Sequence, residues 1–192
     1  MKILLVVATK QEVIESKFKD CTVLVTGVGM VNTAIHLTEE LLKNKYDVVL
    51  NMGVAGSFSE DFKIGDVVEV VEDNFSEIGF ENGSRFEGFS DFEIVTNYSV
   101  AGKTDLQKVR GITVNTVHGN EKSINEIVKR LNPDVESMEG AAVFKVCKKF
   151  AVTCMQIRAI SNKVEKRNKE NWDMHLAIKN LNDKVAQIIT DL

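Results

Sequence analysis

Apolar residues fall into short, dense runs separated by turn-forming segments. Ile3 to Ala8 is an unbroken series of β-branched residues, leucine and alanine, the pattern of a strand covered on both faces. Thr22 to Thr26 repeats it, and Val31, Ala34, Ile35, Thr38, Leu41 and Leu42 then follow at the spacing of an amphipathic helix. Val48 to Asn51 is a third strand, so the chain begins as strand, helix, strand, the unit that builds a parallel sheet with helices on its faces. Further strands are predicted over Val67 to Val71, Ile112 to Asn115 and Val152 to Ile160. Helices are predicted over Ser123 to Leu131, stopped by the only proline, Pro133, over Glu139 to Phe150, and from Trp172 to the C-terminus. Asp73 to Asp91 is rich in Asn, Gly, Ser and Glu yet carries Phe75, Phe80, Phe86 and Phe89. These aromatics either fold back on the core or line a ligand pocket or a subunit contact.

Composition narrows the class. The 192 residues are 44% hydrophobic and carry 24 Lys+Arg against 28 Asp+Glu, a net charge of −4, as in an ordinary globular protein of one domain. No basic stripe points to nucleic acid and no lysine cluster to a membrane surface. Ile3 to Ala8, the longest apolar run, falls far short of the ~20 residues of a membrane span and does not read as a signal peptide, so a cytoplasmic protein is expected. Cys21, Cys147 and Cys154 lack the spacing of a zinc clip and read as buried free thiols; His36, His118 and His175 are scattered, so no metal site is expected. There is no internal repeat and no interdomain linker.

Candidate chemistry lies where strands end. Gly27-Val28-Gly29-Met30-Val31-Asn32 begins like a dinucleotide fingerprint, but Asn32 replaces the third glycine and no acid closes the following strand, which ends in Asn51. The plain alternative is a tight strand-to-helix turn. Gly53-Val54-Ala55-Gly56-Ser57 reads as a second small-residue turn, able to bring backbone N–H groups close to a ligand. Glu12 follows the first strand, Glu139 opens a helix, and Arg158-Ala159-Ile160-Ser161-Asn162 ends a late strand. If those strands run parallel, two carboxylates, an amide and a backbone nest share one mouth, equipment suited to a hydroxyl-bearing small molecule.

The set Thr26–Ala34, Asn51–Gly56, Gly65–Val68, Glu136–Ala142 and Arg158–Asn162, in that order over nearly the whole chain, resembles the nucleoside phosphorylase and nucleosidase superfamily. That resemblance implies one domain over residues 1–192, a three-layer α/β/α sandwich about a mixed central sheet, no cofactor and no metal, a small-molecule nucleoside substrate, and a homodimer or larger homo-oligomer. Within the superfamily, Thr113–Gly119 and Arg158–Glu165, continuing to Trp172, are similar to the nucleosidases that remove hypoxanthine from futalosine in menaquinone synthesis. Under this resemblance Glu12 activates the water, Glu139 accepts from the ribose hydroxyls, Met138 packs under the sugar, and Val54, Ala55 and Ser161 line the substrate. Arg158 either orients one of the carboxylates or holds a strand end by an ion pair. Asn162 stands where adenosine-cleaving relatives carry an aspartate, and two amide N–H donors would suit the O6 and N7 acceptors of a 6-oxopurine. The first loop, Ala8 to Val13, has neither glycine nor arginine for phosphate, which favours water as nucleophile. His118 to Ser123 matches the segment near the base. Phe75, Phe80, Trp172 and Arg167 are candidates for the group beyond the 5′ carbon. The rivals are a methylthioadenosine or aminofutalosine nucleosidase, a phosphorylase, and a non-catalytic nucleoside-binding module.

Overall fold

The computed structural model describes residues 1–83 and 85–192. The described residues form ten strands: β1 (Ile3–Val7), β2 (Thr22–Val25), β3 (Val48–Ser57), β4 (Val67–Phe75), β5 (Phe80–Asn82), β6 (Arg85–Glu87), β7 (Asn97–Ser99), β8 (Lys108–Thr113), β9 (Val135–Ser137) and β10 (Thr153–Lys163). The α-helices are α1 (Met30–Lys43), α2 (Glu121–Leu131), α3 (Gly140–Phe150) and α4 (Met174–Asp191). Among the described residues no helix is long and apolar enough to cross a membrane.

Eight strands form one mixed sheet. β1 lies parallel between β2 and β3, and β3 runs parallel to β10 on its other edge. Beyond β10 the order is β4, antiparallel to it, then β8 and β9, and β9 returns to pair antiparallel with the far end of β3 at Gly56 and Ser57. The pairings β3–β10–β4–β8–β9–β3 therefore close a ring, and the sheet curls into a partial barrel at one end. β1 shows how alternation sets the layers. Ile3, Leu5 and Val7 pack with Ala177, Leu181, Val185 and Ile188 of α4, whereas Leu4 and Val6 pack with Leu37 and Leu41 of α1 and with α3. One sheet between helices on both faces is the expected three-layer α/β/α arrangement.

Strands β3, β4 and β10 run past their predicted ends, and the lengthenings of β3 and β10 build the site. Gly53 to Ser57 is not a turn but the second half of β3. Its small residues are required by the side chains above them: a Cβ at position 53 would meet the Arg158 guanidinium and lie 2.9 Å from Glu12 Oε1, and one at position 56 would lie 2.9 Å from Val164 Cγ2 and 3.2 Å from Asn162 Nδ2. β10 likewise runs past Ile160, with a register shift between Ile160 and Asn162 that leaves Ser161 as an extra residue and re-aims Asn162 and Lys163. The phenylalanines divide. Phe75 is buried edge-to-face on Tyr98, Phe86 lies beneath the Arg130 guanidinium, and Phe80, Phe89 and Phe92 make an exposed cluster. The three cysteines are free thiols, with Cys147 and Cys154 buried and Cys21 half-buried.

Candidate active site

A cavity of about 650 Å³, the size of a small-molecule site, opens at the C-terminal ends of the parallel strands β1, β3 and β10. It brings together Glu12, Val54, Ala55, Met138, Glu139, Ser161 and Asn162, which are remote in sequence.

Glu12 sits on a 3-10 turn, Lys10–Glu12, directly after β1. Its Oε2 accepts the Thr9 N–H at 2.9 Å and the Thr9 hydroxyl at 3.4 Å, and Oε1 accepts the Val54 N–H at 3.4 Å. The turn is clamped from behind by Asn182 of α4, which donates to the Glu12 carbonyl at 3.0 Å and accepts the Ile14 N–H at 2.7 Å. Burial pushes the Glu12 carboxyl above its ordinary value and the charge of Glu139 adds to this, against the Thr9 N–H and the Arg158 guanidinium. Glu12 is therefore a carboxylate with raised proton affinity, as a general base for water requires.

Glu139 caps the N-terminal end of α3, and its Oε1 accepts the Gly29 N–H at 3.0 Å. Gly29 adopts φ +95 with open space around it, so backbone conformation alone demands glycine here. The Gly27–Gly29 turn is thus a strand-to-helix turn that holds a carboxylate, and among the described residues the other Glu139 oxygen has no donor.

Arg158 departs from expectation. It does not line the cavity but lies 2% exposed on β10 opposite Gly53 of β3, with Nη2 donating to Asn51 Oδ1 at 2.6 Å and Nε to Gln156 Oε1 at 3.2 Å. Among the described residues it makes no ion pair, neither with Glu12 or Glu139 nor at the strand end. It acts on the site at a distance, as the positive charge behind Glu12. Gln156 in turn donates to Asp73 at 3.0 Å, Asp73 accepts from the Thr113 hydroxyl at 2.9 Å, and that hydroxyl oxygen accepts the Ala141 N–H at 2.8 Å. This buried chain ties the start of α3, and hence Glu139, to the sheet. Burial raises Asp73 from 3.8 to about 6.

At the other end of the cavity Asn162 Nδ2 donates to the Lys163 carbonyl at 2.8 Å, and its Oδ1 accepts the Ser161 hydroxyl at 2.9 Å. A carbonyl can only accept, which fixes the amide orientation and leaves one N–H for a ligand, where the residue type alone offers two. Beside it stands a pair that sequence pattern alone does not reveal: His118 Nδ1 lies 2.6 Å from Glu136 Oε2, while the His118 backbone N–H reaches Glu136 Oε1 at 3.0 Å. Glu136 is visible in the sequence only as part of a motif, because β9 is a three-residue strand behind a proline. Trp172 and Arg167 also line the cavity, the guanidinium 5.1 Å from the ring centroid, whereas Phe75 and Phe80 do not. Lys10 is exposed and outside the cavity; the cations lining it, Lys163 and Arg167, are grouped with Asn162 and with Gly119, away from Glu12.

The sequence profile of the phosphorylase superfamily matches residues 7–192. A 5′-methylthioadenosine/S-adenosylhomocysteine nucleosidase of Geobacillus sp. is 30% identical over 189 residues, covering 90% of this chain and 82% of that protein. Futalosine hydrolase of Thermus thermophilus is 25% identical over 181 residues, covering 88% of this chain and 80% of that protein. The solved structure of futalosine hydrolase of Helicobacter pylori superposes with a TM-score of 0.87 at 19% identity, covering 100% of this chain and 98% of that one, a likeness of fold. The chain belongs to the phosphorylase superfamily.

Proposed function

We propose that the protein is a purine nucleosidase that hydrolyses the N-ribosidic bond of futalosine and releases hypoxanthine. The observation that carries hydrolysis is the Glu12 end of the cavity: a buried carboxylate beside a second one, with no cation lining that end among the described residues. A phosphate dianion there would meet like charge with no cation lining the cavity to receive it, the Arg158 guanidinium being buried and engaged by Asn51 and Gln156, whereas water needs a base and finds Glu12. Glu139 accepts from the ribose hydroxyls, Met138 lies under the sugar, and Val54, Ala55 and Ser161 form the wall against which the nucleoside lies. As the N-ribosidic bond breaks, positive charge grows on the sugar between the two carboxylates, which stabilise it more than they do the neutral substrate. No step in this scheme calls for a metal or cofactor.

In this reading the purine lies at Asn162, at the other end of the cavity from Glu12 and Glu139. An amide N–H meets an acceptor at position 6, which hypoxanthine has and adenine lacks. The Trp172–Arg167 pair offers an apolar face and a cation, matching an aromatic carboxylate beyond the 5′ carbon. The reading includes a homo-oligomer, supported by the exposed Val28, Val31, Ile35 and Val117, two of which rim the cavity.

A second reading, a methylthioadenosine nucleosidase, is favoured by the 30% identity to the Geobacillus protein. Competition separates them. With futalosine and methylthioadenosine at equal concentration, the proposal predicts that hypoxanthine dominates the released base; adenine in excess would establish the second reading.

A further inference from the structure

Building on the proposed nucleosidase reading, we infer that His118, held by Glu136, delivers the proton that the departing purine takes up, with Nε2–H directed at the base. The starting point is a lack at Asn162. When the N9–C1′ bond breaks, its electron pair stays on the purine, and a neutral product requires a proton on that base. An asparagine amide can donate a hydrogen bond but has no proton to give at neutral pH. Glu12 stands with Glu139 at the sugar end and takes a proton from water there. A separate acid is needed at the base end.

Among the described residues, the His118–Glu136 pair is the histidine–carboxylate couple lining that cavity. Its position follows from the sheet register: Glu136 of β9 and Asn162 of β10 both flank Gly56 of β3. A Cβ at Gly56 would lie 3.2 Å from Asn162 Nδ2 and 3.5 Å from Glu136 Cγ, so the two side chains converge over one point of the sheet. Glu136 is 4% exposed and accepts both the His118 backbone N–H and, at 2.6 Å, Nδ1–H. A ring nitrogen that close to a carboxylate oxygen carries its hydrogen, which fixes the tautomer. Phe58 packs edge-on against the imidazole, centroids 5.9 Å apart, and holds its plane. Nε2 has no protein partner among the described residues, and in the imidazolium form it presents a proton to the cavity. Asn162 N–H and His118 Nε2–H together restore two donors for the O6 and N7 acceptors of a 6-oxopurine, the amide serving O6 and the imidazolium serving N7.

The balance closes. The N9–C1′ pair goes to the purine, the Nε2 proton goes to N7, the water oxygen bonds C1′ and the water proton goes to Glu12. Solvent then returns a proton to His118 and removes one from Glu12. Glu136 does not touch the base; it is a positioning residue that also stabilises the imidazolium.

The test pairs turnover of futalosine with binding of hypoxanthine and 7-deazahypoxanthine, which lacks the N7 acceptor, for the wild type, His118→Leu and Glu136→Gln. The wild type should bind hypoxanthine at least ~10-fold more tightly than the deaza analogue, and His118→Leu should bring that ratio near one while lowering kcat by ~100-fold, the ordinary scale of general-acid loss. Glu136→Gln, which keeps the shape of the site, should shift both readouts the same way by a smaller factor. An unchanged binding ratio in His118→Leu, or a kcat within about threefold of wild type, overturns the inference. A merely structural role would weaken both ligands equally. Wild-type protein that releases no base from any purine nucleoside overturns the functional reading itself, and the inference with it.

Discussion

Replacing Glu12 by glutamine changes one oxygen to an NH₂ group and nothing else in size, and the surroundings of that carboxylate set its consequences. Oε2 accepts two bonds from Thr9 and Oε1 one from Val54, so the new NH₂ must face a backbone N–H whichever way it turns. The longer contact, to Val54 at 3.4 Å, is the cheaper one to lose. A buried donor left unpaired costs about 1–3 kcal/mol, and with so long a bond the lower end applies. The loss of a general base is larger: about 10²- to 10⁴-fold in rate, or roughly 3–5 kcal/mol of barrier. Glu12→Gln should therefore melt close to wild type and bind hypoxanthine normally, with kcat for base release down by at least ~100-fold. Because Glu12 must be ionised to work and burial raises its pKa, the acid limb of the wild-type kcat/KM profile should lie above the ordinary carboxylate range. Activity should fall as pH drops through that limb, and the variant should lack it. A kcat within tenfold of wild type, or an acid limb unchanged in the variant, would remove Glu12 from the mechanism.

Glu139→Ala should raise KM and lower kcat together, since the ribose contact exists in ground and transition states and the Gly29 N–H loses its acceptor; a normal rate with intact affinity would refute the ribose role. Asn162→Asp should shift the ratio of kcat/KM values toward 6-aminopurine substrates by roughly tenfold or more, and no shift would sink the amide argument. Asp73, raised from 3.8 to about 6, holds its proton more tightly folded than unfolded, so its contribution to stability is complete below 3.8 and is lost as pH climbs to 6. The two-unit shift corresponds to about 3 kcal/mol. Asp73→Asn should flatten the decline of urea-unfolding stability between about pH 4 and 6, and a curve parallel to wild type would contradict it.

Legibility in the sequence followed the range of the forces involved. The hydrophobic runs at Ile3, Thr22 and Val48 and the helical spacing of Val31 to Leu42 announced β1 to β3 and α1, because burial on two faces or one writes itself into local pattern. Local pattern does not carry cross-strand crowding. Gly53 and Gly56 look like turn residues until Arg158, Glu12 and Asn162 are seen packed above them, and β9 is too short to carry any period. The carboxylates Glu12 and Glu139 were visible as strand-end and helix-start residues. The Glu136–His118 pair was not, since its partners lie on a three-residue strand and a loop, 18 positions apart. The partners of Arg158 are hidden for a related reason: a charged residue at a strand end suggests an ion pair or a carboxylate to orient, and only the contacts with Asn51 and Gln156 show that buried amides take up its guanidinium.

The most direct test of the account is the rate of hypoxanthine release from futalosine by purified protein, followed chromatographically with and without inorganic phosphate. The account predicts hypoxanthine and free sugar at equal rates in both conditions. Release that requires phosphate and yields a sugar phosphate, or no release of hypoxanthine at all, would contradict it.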